Sequence, residues 1–458
     1  MEQAIAHIKT LGRRDIVLFT VSAILLLDTL AAGATVGPSA VFWWVFLGIV
    51  FFVPYALICS EMGTTYPEQG GLYAWVRNAF GRRWASRATW AYWVNTSVWN
   101  PAIYILFAGI FSQMFMPDLS MSAQIGIGLL LTWITVVVNV VTLNVGKWIP
   151  NIGAIFKVIV MGAIVFGAIQ YTQQFGMANP LTLESMTPRW GSSLQYISVI
   201  IYGMLGFELV SAGAKEMKNP ARDIPIGIFV SGLIIIVLYT AATMAILAAI
   251  PAAEINLVEG LMETLYLFFG GSEAGRLFAL VLGIGALYTF FSNGVTWALG
   301  CNRSMAEAAA EGEFPKSLAR EHPRAGTPTG AAVIMGVIST LILLLYGVLA
   351  GSKEELFWSL FAFSAVIFLI PYIILVFAFL RMRKIDAGRY RPFRIPGGDG
   401  FATLIAGVCA GLIAVSMFLF CYTPGDGMQW PVFIGALVVT LIGEAIIRLT
   451  ERQRGEPG

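Results

Sequence analysis

Apolar runs of about 20 residues recur along this chain, separated by short segments rich in Gly, Pro, Lys and Arg. A helix of that length crosses the ~30 Å hydrocarbon core of a bilayer, and the alternating strands of a membrane barrel are absent from the pattern. The pattern predicts helices over residues 15–38, 42–63, 88–116, 122–142, 148–171, 193–214, 225–250, 276–301, 328–350, 355–380, 401–421 and 430–449. The expected fold class is an all-α integral membrane protein with twelve transmembrane helices. Two of these runs are interrupted. The first carries Leu25–Gly37, LLLDTLAAGATVG, and the sixth carries Tyr202–Ala212, YGMLGFELVSA, with Gly203, Gly206 and Glu208. A charge near mid-membrane costs ~2.5–3.5 kcal/mol on insertion scales, so Asp28 and Glu208 each need a partner, a proton or a ligand. Spans one and six hold corresponding places in two five-helix halves, 15–171 and 193–380, and paired glycine-interrupted helices point to a transporter site built on inverted repeats. That gives a transport core at 15–380, preceded by a cytoplasmic segment at 1–14. A basic loop with two further helices at 381–449 and a cytoplasmic tail at 450–458 follow.

Composition agrees with the pattern. The 458 residues are 58% hydrophobic and 12% charged with a mean hydropathy of +0.78, against roughly 25% charged in soluble domains, which excludes an ordinary soluble globule. The first apolar run is too long for a cleavable signal and is expected to stay as a helix. Basic residues gather in alternate loops, among them Lys9, Arg13 and Arg14; Arg77, Arg82, Arg83 and Arg87; Lys147; Lys215, Lys218 and Arg222; and Arg381–Arg394. The opposite loops hold Arg189, Arg276 and Lys353 beside Glu184, Glu254, Glu259, Glu263 and Glu273. The positive-inside rule then puts both termini in the cytoplasm of a multi-pass protein of a bacterial inner membrane. The net charge of +2 is an uneven distribution that contact with membrane lipids explains, and nucleic acid is not called for. Four cysteines without CxxC spacing and two histidines, His7 and His322, that share no motif with an acid give no catalytic, cofactor or metal constellation. An enzyme is not expected.

Three polar stretches carry recognisable text: YPEQGGLYAWVRNAFG (Tyr66–Gly81), KEMKNPARDIPIGI (Lys215–Ile228) and NRSMAEAAAEGEFP (Asn302–Pro315). With FE at Phe207-Glu208, they resemble motifs that occur in this order in the amino acid, polyamine and organocation (APC) superfamily of transporters. The resemblance covers about residues 10–445. It implies a LeuT-like fold, five plus five helices in inverted repeat with two more appended, and alternating access around a site between broken helices one and six.

Members that carry amino acids usually keep small residues at the break in helix one, where backbone amides receive the substrate carboxylate. Here the resemblance places Leu27, Asp28 and Thr29 at that break. An anion there repels a carboxylate and welcomes an ammonium. The stretch is also locally similar to the polyamine uptake branch, down to Gly37-Pro38. For Asp28 the alternatives are a substrate or proton site and a structural acid that pairs with Lys157 or stays protonated to hold the break together. For Glu208 they are direct amine contact and a proton-linked conformational role, an acid there being common across the superfamily. Two acids on facing breaks suit a molecule with two positive ends, and exchange of a proton for a cation is natural at either. Lys157, the third intramembrane charge, stands where sodium-independent members keep a lysine in place of a sodium ion; snorkelling to the interface is the alternative. Span three supplies Tyr92, Asn95, Trp99 and Asn100 at helical spacing. The resemblance adds Asn100, Ile103, Tyr202, Gly206 and Trp297 to Asp28, Thr29 and Glu208 as substrate-binding candidates. Tyr92, Trp99 and Tyr202 become gating or cage aromatics, suited to an organic cation. Any one of these rings is equally readable as core filler, and Trp43, Trp44 and Trp84 are expected to be interface anchors.

The function expected is secondary transport, sodium-independent and coupled to protons or to exchange, of small cationic amines such as diamines or polyamines. The alternatives are an amino acid permease or amino acid/amine antiporter and, from another class, a membrane substrate sensor. A monomer and a homodimer are both open.

Overall fold

The computed structural model describes residues 13–67, 71–117, 119–141, 148–188, 191–212, 217 and 219–454. Most of the segment expected at 1–14, the end of the tail, Lys9, Lys147, Arg189, Lys215, Lys218 and the 68–70 part of the first motif lie outside the described residues. In chain order the helices are α1 (Arg13–Ile24), α2 (Leu30–Thr35), α3 (Ser39–Leu47), α4 (Val53–Thr65), α5 (Leu72–Phe80), α6 (Arg82–Phe115), α7 (Met121–Val141), α8 (Trp148–Phe175) and α9 (Ile197–Tyr202). They continue with α10 (Leu209–Ala212), α11 (Pro220–Ala249), α12 (Gly260–Phe269), α13 (Glu273–Ala310), α14 (Thr329–Leu349), α15 (Lys353–Ile385), α16 (Gly398–Cys421) and α17 (Trp430–Gln453).

Ten helical runs among the described residues are long and apolar enough to cross a membrane: α3 through α4, α6, α7, α8, α11 and α13 to α17. A π-type turn at Gly48–Phe52 joins α3 to α4. The two predicted spans that hold Asp28 and Glu208 are instead pairs of short helices, α1 with α2 and α9 with α10. The apolar windows of α6 and α15 are 72% and 83% buried, against 22% for α17, so α6 and α15 form the centre and α17 lies at the periphery. Helix starts follow local chemistry: Ser272 and Ser352 accept from the backbone N–H groups of Gly275 and Glu355, each meeting a donor the helix leaves open. A two-residue antiparallel ribbon, β1 (Tyr422–Thr423) with β2 (Gly427–Met428), turns α16 into α17. Helix α5 falls in a stretch the apolar pattern leaves as loop; Leu72, Trp75, Val76 and Ala79 are buried while Arg77 and Asn78 face outward, and burial of that face makes the helix.

The arginine-rich end of the bundle is clamped by carboxylates, which explains the sequence motifs there. Glu313, fully buried, accepts from Tyr73 Oη at 2.6 Å, Arg82 Nε at 3.2 Å and Ser86 Oγ at 2.9 Å. Arg77 reaches Glu311 at 3.3 Å, so the first and third motifs bind each other. Burial, and then the bond to Glu313, push the Tyr73 phenol well above its ordinary value, keeping it a donor. In the second motif Asp223 accepts from Arg13 Nε at 2.8 Å and from the Asn219 backbone at 3.1 Å. At the end of α4, buried Glu61 receives Arg383 at 2.8 and 3.0 Å, the Ile395 N–H at 2.8 Å and Arg391 at 3.3 Å. All four cysteines are buried free thiols.

Candidate functional site

The break in the first span runs from Leu25 to Thr29, and one tyrosine holds it open. Leu25 N–H still closes on Val21 at 2.9 Å. One residue on, Leu26 N–H donates to the Tyr239 hydroxyl at 2.7 Å, and that hydroxyl donates to the Ile24 carbonyl at 3.3 Å. Two backbone groups orphaned by the break are thus met from α11. Tyr239 is itself fixed by Trp44, stacked on it at 4.8 Å. The interface role expected for Trp44 is therefore corrected: its ring is 3% exposed because it packs on the break. Trp84, 41% exposed, does present its ring outward.

The second break, Gly203–Glu208, meets the first. Gly206 takes φ +101°, a conformation L side chains rarely adopt, and a Cβ there would approach Ile24 Cγ1 to 3.2 Å. The backbone conformation calls for glycine, and a Cβ would also crowd the Ile24 side chain.

Asp28 is buried at the first break. Its Oδ2 accepts from Trp99 Nε1 at 3.1 Å, and its Oδ1 has no hydrogen-bond partner. Lys157 is buried in α8, so snorkelling to solvent is not what it does. Thr29 is buried beside Asp28 as the N-cap residue of α2, with no side-chain cap bond. Next to the break lies a cavity of about 20 Å³ whose wall includes Leu26, Asn95, Trp99, Tyr202, Trp297 and Phe368. The rings interlock edge to face: Trp99 with Trp297 at 6.3 Å, Trp297 with Phe368 at 6.1 Å, and Tyr202 tilted on Phe368 at 5.0 Å. Trp99, Tyr202 and Trp297 therefore share one cage, centred on Phe368.

Glu208 sits apart in a closed cluster. Its Oε1 accepts from Tyr92 at 2.6 Å and Tyr372 at 2.9 Å, and its Oε2 from Tyr55 at 2.8 Å. The Tyr92 and Tyr372 hydroxyl oxygens lie 2.8 Å apart, side by side on Oε1. Tyr92 thus serves Glu208 and packs on Phe368 at 5.7 Å, which links the carboxylate cluster to the cage. Asn100 turns the other way: its Nδ2 donates to the Gly294 carbonyl at 3.4 Å, and it lines a separate cavity of about 10 Å³ with Asn139, Asn302 and Ser339. Ile103 is wholly buried in α6; of the predicted substrate-binding residues only Tyr202 and Trp297 line the cavity of the cage, and Asp28 adjoins it through Trp99.

Sequence reasoning missed Tyr55, Tyr239, Phe368 and Tyr372. Phe368 and Tyr372 stand one turn apart in α15, but an aromatic pair at that spacing in an apolar helix carries no mark of which way it faces.

A helical membrane protein with two interrupted helices meeting at a buried carboxylate and an aromatic cage is built for transport, not for bond chemistry. The chain belongs to the amino acid permease family, which it matches over residues 11–443, within the APC superfamily. It is 33% identical over 439 residues to a probable agmatine/putrescine antiporter of Lactococcus lactis, spanning 94% of this chain and 93% of that protein. An uncharacterized transporter of Legionella pneumophila is 30% identical over 415 residues, 87% of each chain. A glutamate/gamma-aminobutyrate antiporter of Lactococcus lactis is 24% identical over 423 residues, 89% of this chain and 82% of that one. The protein is a multi-pass membrane transporter and not an enzyme.

Proposed function

We propose that this chain is a secondary transporter of small cationic amines, diamines or polyamines, working by exchange or proton coupling and without sodium. The observation that carries the reading is Asp28: a buried carboxylate at the first break with one oxygen held by Trp99 and the other without a partner. A free carboxylate oxygen beside an aromatic cage fits an ammonium, by ion pairing and by cation–π attraction, and opposes a carboxylate. The relative named as an agmatine/putrescine antiporter supports the same substrate class. A cavity of about 20 Å³ holds little more than a water, so admitting an amine requires the cage to move. Alternating access of a LeuT-like inverted repeat supplies that motion, with the two helix pairs counted as the eleventh and twelfth spans. Both termini then face the cytoplasm of a bacterial inner membrane. Lys157 braces α8 against Asp28 in the place a sodium ion would take. Glu208, held by three phenols, links the cage to conformation or to a proton.

The test is counterflow of a labelled diamine into liposomes holding the purified protein. Asp28→Asn is expected to lose uptake at least tenfold; uptake equal to wild type would remove Asp28 from the site. A second reading, amino acid/amine exchange, is favoured by the glutamate/gamma-aminobutyrate relative. Inhibition by amino acids but not by their decarboxylated amines would select it.

A further inference from the structure

Building on the amine reading above, we infer that Asn95 forms a neutral second recognition point, an amide carbonyl that receives the N–H-bearing end of the substrate lying away from Asp28. Asn95 is on α6, one turn before Trp99, so both project from one stripe. It is 3% exposed and lines the cavity with Trp99, Tyr202, Trp297 and Phe368, and its Oδ1 has no hydrogen-bond partner. Buried amide oxygens are almost always met, and leaving one unmet in a wall of aromatic rings destabilises the fold. A ligand that donates to it offsets that loss.

The chemistry of the point defines its guest. A carbonyl oxygen accepts from ammonium or guanidinium N–H and repels a carboxylate; being neutral, it adds no second charge to be neutralised when the substrate leaves. Glu208, the other candidate for the far end, already receives phenol donors on both oxygens. Asn95 is therefore the better placed to tell a diamine from a monoamine of the same length. It is a specificity determinant, with Asp28 supplying the common anchor.

The experiment is competition for diamine counterflow in liposomes by 1,4-diaminobutane, butylamine and a zwitterionic amino acid, on wild type, Asn95→Ala, Asn95→Leu and the near-isosteric Asn95→Asp. Wild type should prefer the diamine. Asn95→Ala and Asn95→Leu should weaken the diamine about tenfold or more, as expected for loss of a charge-assisted hydrogen bond, and leave butylamine within about twofold. Asn95→Asp, which keeps the packing, should raise the preference for the diamine. If wild type takes the diamine but its preference over butylamine is the same in all four proteins, or falls in Asn95→Asp, the assignment of Asn95 is overturned while the amine reading stands. If wild type responds to the amino acid and to neither amine, both fall together.

Discussion

Two carboxylates occupy the two breaks, and they are furnished in opposite ways. Asp28 has one side-chain donor, Trp99, and its Oδ1 has no hydrogen-bond partner; Glu208 has three tyrosine hydroxyls spread over both oxygens. Burial alone does not make a binding group. On the proposed reading, a carboxylate whose lone pairs are met by fixed phenols serves the scaffold, and one left short serves a visitor. The tyrosines of the Glu208 cluster come from α4, α6 and α15, so any change in that carboxylate is felt by three helices. Asp28 reaches Trp99 of the aromatic cage.

This contrast is broken or sharpened by four measurements. The largest effect is expected for Asp28→Asn in a ligand-induced thermal shift: the stabilisation by saturating diamine, ~2.7 kcal/mol at a hundredfold excess over Kd, disappears. Full retention would make Asp28 scaffold too. Glu208→Gln should do the reverse, keeping the diamine shift while lowering the melting temperature of the free protein by the equivalent of about 1–3 kcal/mol, because one phenol loses its acceptor. A double-mutant cycle of Asp28→Asn with Lys157→Met should give a coupling free energy on the order of 1 kcal/mol; additivity would mean the two charges do not feel one another. The smallest effect is Tyr55→Phe, about 1 kcal/mol of stability with unchanged diamine binding, since Tyr92 and Tyr372 still hold Glu208.

The parts legible in the sequence were those where chemistry violates its surroundings. Charges inside apolar runs announced Asp28, Lys157 and Glu208, and glycines announced the breaks. Periodicity placed most of the long helices, but α6 begins six residues before its predicted start and α13 runs nine residues past its predicted end, through the polar Asn302–Ala310 stretch; α5 was illegible because a short amphipathic helix has neither the length nor the uniform apolarity of a span. Rings were harder. Phe368 and Tyr372 sit among buried apolar neighbours, and only packing reveals that one centres the cage and the other holds Glu208. Span three shows the limit of spacing arguments: Asn95 and Asn100 are five residues apart, about 140° around a helix, so one stripe cannot present both. The structure gives the cavity of the aromatic cage to Asn95 and the far cavity to Asn100.

The clamp on Glu61 has a consequence for how the protein is made. Its guanidinium partner, Arg383, lies 322 residues further along the chain, and at a synthesis rate of about 5–20 residues per second it emerges on the order of tens of seconds later. Throughout that interval the carboxylate at the foot of α4 is without Arg383. The nascent first half therefore lacks this clamp until α15 arrives, so a span of the second half latches one of the first.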